Sequence, residues 1–282
     1  MKQNHNRFSS NICILHNDDW IKRQRIAGKV AAQTISLLED LVKNKTTKSL
    51  IELDKIAEEF IISNGCLPTF RGYKGFPASV CMSLDNKESH MLVHGIPNDN
   101  KLEDGNLITF DLGATFEGAI GDTAATFTFG SPKSEQHSKL IDDTKIALVK
   151  SIQSIKLGKN LGVIGDTIFK HLSPKGYSIV ENYGGHSMSY NEPHCFPFIS
   201  NKSLPTDGIM AQVGMTLCIE PLVVLGNSNK TFIGKDGWTV YTENVSFHEE
   251  HSIFLHSDYI EVMTFRENET YLKTNKILYE KS

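Results

Sequence analysis

The chain has 282 residues, 39% of them hydrophobic and 22% charged, enough apolar sequence to build a real core in one large domain or two small ones. With 29 basic residues against 33 acidic ones the net charge is -4, which leaves no broad basic surface for a nucleic-acid partner; KRQR at 22–25 and KNKTTK at 43–48 read as a helix face and a solvated loop. Five cysteines without C-x-x-C spacing argue against a disulfide framework or a structural zinc knot, and no apolar run is long enough for a signal peptide or a membrane span, so a cytoplasmic protein with reduced, mostly buried thiols is expected.

Apolar residues at helical spacing (Ile21, Ile26, Val30, Ile35, Leu38, Leu41) predict a helix over 19–43, with Asp18 or Asp19 as its N-cap. A second helix is expected over 49–64, closed by Gly65. The Gly-, Pro- and aromatic-rich stretch from Cys66 to Ser83 reads as irregular chain leading into a short strand. LITFDLG and TAATFTFG are strands on either side of the turn-like TFEG. Helices follow over 134–157 and 163–176, then strands in TLCIEPLVVLG, GWTVYT and HEEHSIFLH. Helices mixed with antiparallel strand pairs define an α+β class. DGNLITFD (104–111) and VGMTLCIE (213–220) each place a glycine six residues before a carboxylate at the end of an apolar strand, as two similar halves delivering an acid to one place would do.

Asp111 and Asp122 sit inside otherwise apolar strands. A hairpin turn centred between Phe116 and Glu117 makes them direct cross-strand partners on one face, and two carboxylates so placed repel unless something positive lies between them. Either aspartate alone reads as a solvent-facing or turn residue; the pair at matched register points to a bound divalent cation. Further ligands are sought in His186, flanked by glycines in NYGGHSMS, and in Glu220 at the end of an apolar strand, where an unpaired carboxylate is costly to bury. Glu250 competes with Glu249, because strand alternation lets only one of them face the site.

In this order and at these spacings, Asp111, Asp122, His186, Glu220 and Glu250 resemble the five metal ligands of the type I methionine aminopeptidases. The surrounding VHGIPND, LEDGNLITFDLG, GDTAATFTFG, IEPL, DGWTVYT and EHS agree with that pattern, from RIAGKVAA to about Thr264. The resemblance implies the pita-bread fold, a pseudo-twofold antiparallel sheet with helices on its outer face, in a single catalytic domain over 19–275 between a short extension (1–18) and a tail (276–282). It also implies two divalent ions, Co, Mn, Fe or Zn, with a bridging water or hydroxide as nucleophile. Asp111 and Glu250 bridge the ions in the family pattern, Asp122 completes one, and His186 with Glu220 completes the other. Glu220 is the general base, and His94 of HGIP contacts the substrate. Tyr73, Phe76, Cys81 and Trp238 fall in the methionine pocket, to which Tyr190 is an optional addition and Phe70 reads as core. The implied activity removes the initiator methionine from nascent polypeptides when the second residue is small, by a monomer with at most transient ribosome contact and no nucleic-acid or membrane partner.

The chain departs from the family's wording in GGHSMSYNEPHCFPF: Ser187 replaces a glycine, and no histidine immediately precedes Glu192. His194 is the favoured replacement for the family's second substrate histidine, with Asn191 at the nominal position. Extra residues also stand between Cys81 and His94. Two other functions stay open, an aminopeptidase of the same fold acting on X-Pro peptides and a non-catalytic peptide-binding relative.

Overall fold

The computed structural model describes residues 11–86 and 89–279. Helix α1 spans Asp18–Lys43, and its N-cap is Asn17, whose side chain accepts from the Trp20 amide; Asp18 and Asp19 sit instead in the first turn, where acids favour the helix dipole. Of the expected apolar stripe, Ile26 is exposed while Ile21, Val30, Ile35 and Leu38 are buried. Helix α2 (Leu50–Ser63) is capped by Ser49 and leaves through Gly65 in the left-handed region. Next come β1 (Leu67–Pro68), the 3-10 turn Tyr73–Gly75, β2 (Cys81–Asp85) and β3 (Met91–Val93).

Strands β4 (Leu107–Phe116) and β5 (Ala119–Thr128) form a long hairpin around Glu117–Gly118, both at positive φ. Its register differs from the expected one. Phe116 pairs with Ala119, so Asp111 faces Ala124 and Asp122 faces Gly113. Because the turn lies one residue further along, each pair index shifts while the side-chain parity is kept, and both carboxylates remain on one face.

Helix α3 (Glu135–Gln153) starts at the Ser134 cap and stops short of the expected Leu157. Helix α4 (Val163–Leu172) passes into a 3-10 turn, Ser173–Lys175, ended by left-handed Gly176. The remaining strands are β6 (Tyr177–Ile179), β7 (Gly184–Ser189), β8 (Glu192–Ser200), β9 (Thr216–Ile219), β10 (Leu222–Leu225), β11 (Thr231–Ile233), β12 (Val240–Thr242), β13 (Ser246–His248), β14 (Glu250–Leu255), β15 (Tyr259–Val262) and β16 (Lys276–Leu278). TLCIEPLVVLG is therefore two strands in different sheets, broken at Glu220–Pro221, where the proline nitrogen has no proton to give a ladder. HEEHSIFLH is likewise split at Glu249. Residues 276–278, expected in a tail, pair with β15 at the sheet margin.

The main sheet runs β1-β4-β5-β14-β9-β7-β8, with β2 on β4 and the pair β15-β16 beside β14. Two helix pairs cover one of its faces. Val30, Leu38, Leu53 and Ile61 of α1 and α2 pack on Ile108, Phe110, Leu112 and Phe127. Leu140, Ile152, Ile164 and Ile168 of α3 and α4 pack on Leu217, Ile219, Ile253 and Leu255. The repetition of helix pair on strands explains the short internal similarity: Gly105 and Gly214, both at positive φ, precede β4 and β9. Alternation along those strands sends Phe110 and Ile219 to the helices and Asp111 and Cys218 to the opposite, concave face.

Candidate metal centre and substrate pocket

Register assembles the site. Cys81, Asp111, Ala124 and Glu250 are successive cross-strand partners on β2, β4, β5 and β14. A neighbouring row runs from Gly113 to Asp122 and from Ser252 through Cys218 to His186. The Asp122 amide donates to Ser252 Oγ at 2.9 Å, and Ser252 Oγ donates to the Asp122 carbonyl at 2.7 Å, which ties the two parts together. Ala124 and Gly113, the small residues opposite Asp111 and Asp122, leave space between the carboxylates. At Gly185 a Cβ would lie 2.1 Å from the Cys218 carbonyl, so only glycine lets β7 approach β9 there and bring the adjacent His186 to the centre.

All five expected residues, Asp111, Asp122, His186, Glu220 and Glu250, line one cavity of about 320 Å3 together with His94 and His194. One ligand atom each from Asp122, His186, Cys218 and Glu250 falls within 4.8 Å of the others, as does one each from Asp111, His248 and Glu250. His186 Nε2 stands 3.6 Å from Glu220 Oε1, while its Nδ1 donates to the Ser187 carbonyl at 3.2 Å and so leaves the Nε2 lone pair facing the carboxylates.

The electrostatics call for a cation. Burial pushes the Asp122 carboxyl well above its ordinary range, and Asp111 and Glu220 push it further. Glu250 is driven the same way by burial and then by Asp122, Glu220 and Asp111. Burial also lowers His186 to about 4, so its imidazole is neutral and available as a ligand. Asp111 Oδ1 and Asp122 Oδ1 are buried without a hydrogen-bond partner. Acceptor-only oxygens left unsatisfied beside a neutral imidazole fit divalent ions, and this mostly oxygen donor set with imidazole suits Mn, Fe, Co or Zn.

An adjoining cavity of about 200 Å3 is lined by Phe70, Tyr73, Lys74, Phe76, Cys81, His94, Asp111, His194 and Trp238. It contains the four expected pocket residues, and Phe70, read as core, forms wall as well. Phe76 and Trp238 meet edge to face at 5.3 Å between centroids. Tyr190 lies elsewhere, two-thirds exposed at the β7–β8 turn. Asn191 occupies that same turn in left-handed conformation and is exposed, whereas His194 reaches the cavity floor, 4.5 Å from the His186 ring and 5.3 Å from Tyr73. Glu192 joins them: it accepts from Tyr73 Oη at 2.5 Å and from the His194 amide at 3.3 Å. His94, at φ 57, packs edge-on against Tyr183.

Glu250 faces this centre. Glu249 turns to the helix side, where its Oε1 accepts from the Thr126 amide at 3.0 Å and it lines a separate cavity with His251 and Arg266. Cys218 and His248, unforeseen from the sequence, lie two residues before Glu220 and Glu250, and the period-2 rule places both on the carboxylates' face.

The sequence profile of metallopeptidase family M24 matches residues 22–258, and the chain belongs to that family. It is 36% identical to a methionine aminopeptidase of Mycoplasma capricolum subsp. capricolum over 252 residues, 89% of this chain and 97% of that one. The crystal structure of methionine aminopeptidase from Rickettsia prowazekii superposes with a TM-score of 0.84 at 32% identity, covering 90% of this chain and all of that one. Prolidase from Pyrococcus furiosus shares the fold at a TM-score of 0.67 and 17% identity, with 66% of its length covered. The pita-bread architecture expected from the motifs is the one found.

Proposed function

We propose that this chain is a metal-dependent methionyl aminopeptidase that removes the initiator methionine from nascent polypeptides whose second residue is small. The observation that carries the reading is the junction of two cavities: the carboxylate and imidazole cluster opens directly onto an apolar, aromatic-walled pocket, with Asp111, His94 and His194 belonging to both.

Asp111, Asp122, His186, Glu220 and Glu250 would hold two divalent ions from among Mn, Co, Fe and Zn. When bound, such ions polarise the scissile carbonyl and make a water acidic enough to attack near neutral pH. Glu220, on the cavity wall beside His186, takes the proton from the attacking water and returns it to the departing amine. Phe70, Phe76 and Trp238 surround the methionine side chain, whose thioether gains from contact with aromatic rings. Cys81 closes the end of the pocket next to Asp111, its thiol held protonated by burial. His94 and His194, which line both cavities, direct the carbonyl and amide of the reacting peptide. Burial lowers His194 well below the ordinary imidazole range, so it serves as a neutral hydrogen-bonding group.

No described helix is long and apolar enough to cross a membrane, and we assign the protein to the cytoplasm as a monomer that meets its substrates as they leave the ribosome. The test is release of free methionine from Met-Ala-Ser and Met-Lys-Ser by metal-stripped protein with Mn, Co, Fe or Zn restored, beside Glu220→Ala and an Ala-Pro peptide. Metal-dependent cleavage of Met-Ala-Ser alone, lost in the variant, supports the proposal. Cleavage of the Ala-Pro peptide would move it to an X-Pro enzyme, and no cleavage with any metal would leave a peptide-binding relative.

A further inference from the structure

His248 is the deepest imidazole at the site, 1% exposed, and the mechanism above gives it no part. Its Nδ1 is buried without a hydrogen-bond partner, and its Nε2 stands 3.7 Å from Asp111 Oδ2, longer than an ordinary hydrogen bond. Burying an imidazole whose polar positions are so poorly met is costly unless something else engages it. The 3.7 Å separation nearly equals the 3.6 Å between His186 Nε2 and Glu220 Oε1. Two ligand atoms each about 2.1 Å from one ion lie about 3.4 Å apart at the tetrahedral angle and about 4.2 Å apart when opposed, so both pairs have the spacing of ligands sharing an ion.

The internal repeat relates the two carboxylates. Asp111 ends the apolar run after Gly105, and Glu220 ends the run after Gly214. Each carboxylate therefore comes from the equivalent place in its half, and each meets one buried histidine from another strand: His186 on β7 for Glu220, His248 on β13 for Asp111. Glu250, two residues after His248, offers the third ligand atom of the Asp111 group.

We propose that His248 is a sixth protein ligand of the metal centre, sharing an ion with Asp111 and Glu250. The assignment rests on the two-ion reading given above. A second imidazole moves the centre's preference from Mg and Mn towards Fe, Co and Zn.

The experiment loads the full chain, 15N-labelled at histidine, with two equivalents of Co2+ and counts by NMR the imidazole N–H resonances that carry the large contact shifts of directly coordinated rings, repeated in His194→Ala and His94→Ala to exclude the two cavity histidines. Two are expected in the unsubstituted protein. One is expected to remain in His248→Phe, which keeps the ring's volume, and one in His186→Phe, each with at least ~10-fold weaker binding of one ion. The measurement on the unsubstituted protein decides the matter even if a variant fails to fold. Two bound ions with a single imidazole resonance would overturn the role of His248 and leave the peptidase reading intact. No bound Co2+ at all would overturn both.

Discussion

The rings of His186 and His194 lie 4.5 Å apart between centroids, tilted by 53°, so an imidazole of the candidate metal cluster packs directly against one that lines the adjoining aromatic-walled pocket. The two roles are separable. Replacing His194 by Ala removes a group that, on the proposed function, touches substrate, and leaves the carboxylate cluster whole. We expect kcat/KM for Met-Ala-Ser to fall about 100-fold, which is ~2.7 kcal/mol of transition-state stabilisation. Metal content, measured by mass spectrometry on the purified protein, should be unchanged. Asn191→Ala, at the exposed turn, should alter neither. Equal losses in the two variants would remove His194 from the site.

Glu249 and Glu250 are adjacent, both almost fully buried, and belong to opposite faces of the sheet. Glu250→Gln should lose at least one ion and nearly all turnover, because its oxygens serve both carboxylate groups of the centre. In Glu249→Gln the amide oxygen still accepts from Thr126, and burial already favours the uncharged form of the native side chain. We expect full metal content, turnover within about 2-fold, and a stability loss of about 1 kcal/mol or less. A Glu249→Gln protein that purified without metal would show that the strand alternation has been assigned to the wrong face.

These two positions illustrate how far the sequence carries. Alternation limits the choice to one of Glu249 and Glu250, and the motif context selects the second. Alternation puts His248 on the face of Glu250 and Cys218 on that of Glu220, but nothing local marks either as near the cluster, because the chain breaks at Glu249 and leaves β9 before Glu220. The hairpin register was within reach but missed, because TFEG admits a turn at more than one place and Glu117 at positive φ is not a glycine-marked position. The break at Glu220–Pro221 was hidden by an unbroken apolar run, whose two parts satisfy different sheets. No local pattern shows that His194 rather than Asn191 reaches the cavity; that depends on how β8 leaves its turn.

Trp238 reaches the aromatic-walled pocket proposed for methionine from the loop before β12, where Asp236 accepts from the Trp238 and Thr239 amides at 2.8 and 2.9 Å. It is half-buried and contributes wall without holding the core together. Trp238→Ala should therefore weaken binding of the methionine side chain in ground and transition states alike. Losing about 1.5–3 kcal/mol of aromatic burial predicts a KM raised about 10- to 100-fold with kcat little changed. A fall in kcat at constant KM would instead make Trp238 a determinant of transition-state geometry.

Glu261 on β15 accepts from Arg25 of α1 through both oxygens, at 2.8 Å each, and from His256 at 2.8 Å. Burial alone would raise its carboxyl, but these partners outweigh burial and hold it below the ordinary range. A carboxyl depressed in the folded state contributes stability that is fully present above its unfolded pKa of about 4.3 and is lost as pH falls through the folded value. Glu261→Gln removes that contribution. Because Arg25 is half-exposed, the loss at pH 7 should be about 1 kcal/mol, less than a fully buried pair would give. Urea midpoints measured from pH 7 to pH 3 should show the unsubstituted protein above the variant at neutral pH, with the difference shrinking below about pH 4.3. The carboxylate cluster of the cavity is the same in both proteins, so the difference between the two curves isolates Glu261. Curves that stay parallel down to pH 3 would mean that the Arg25 and His256 contacts do not stabilise the ionised form.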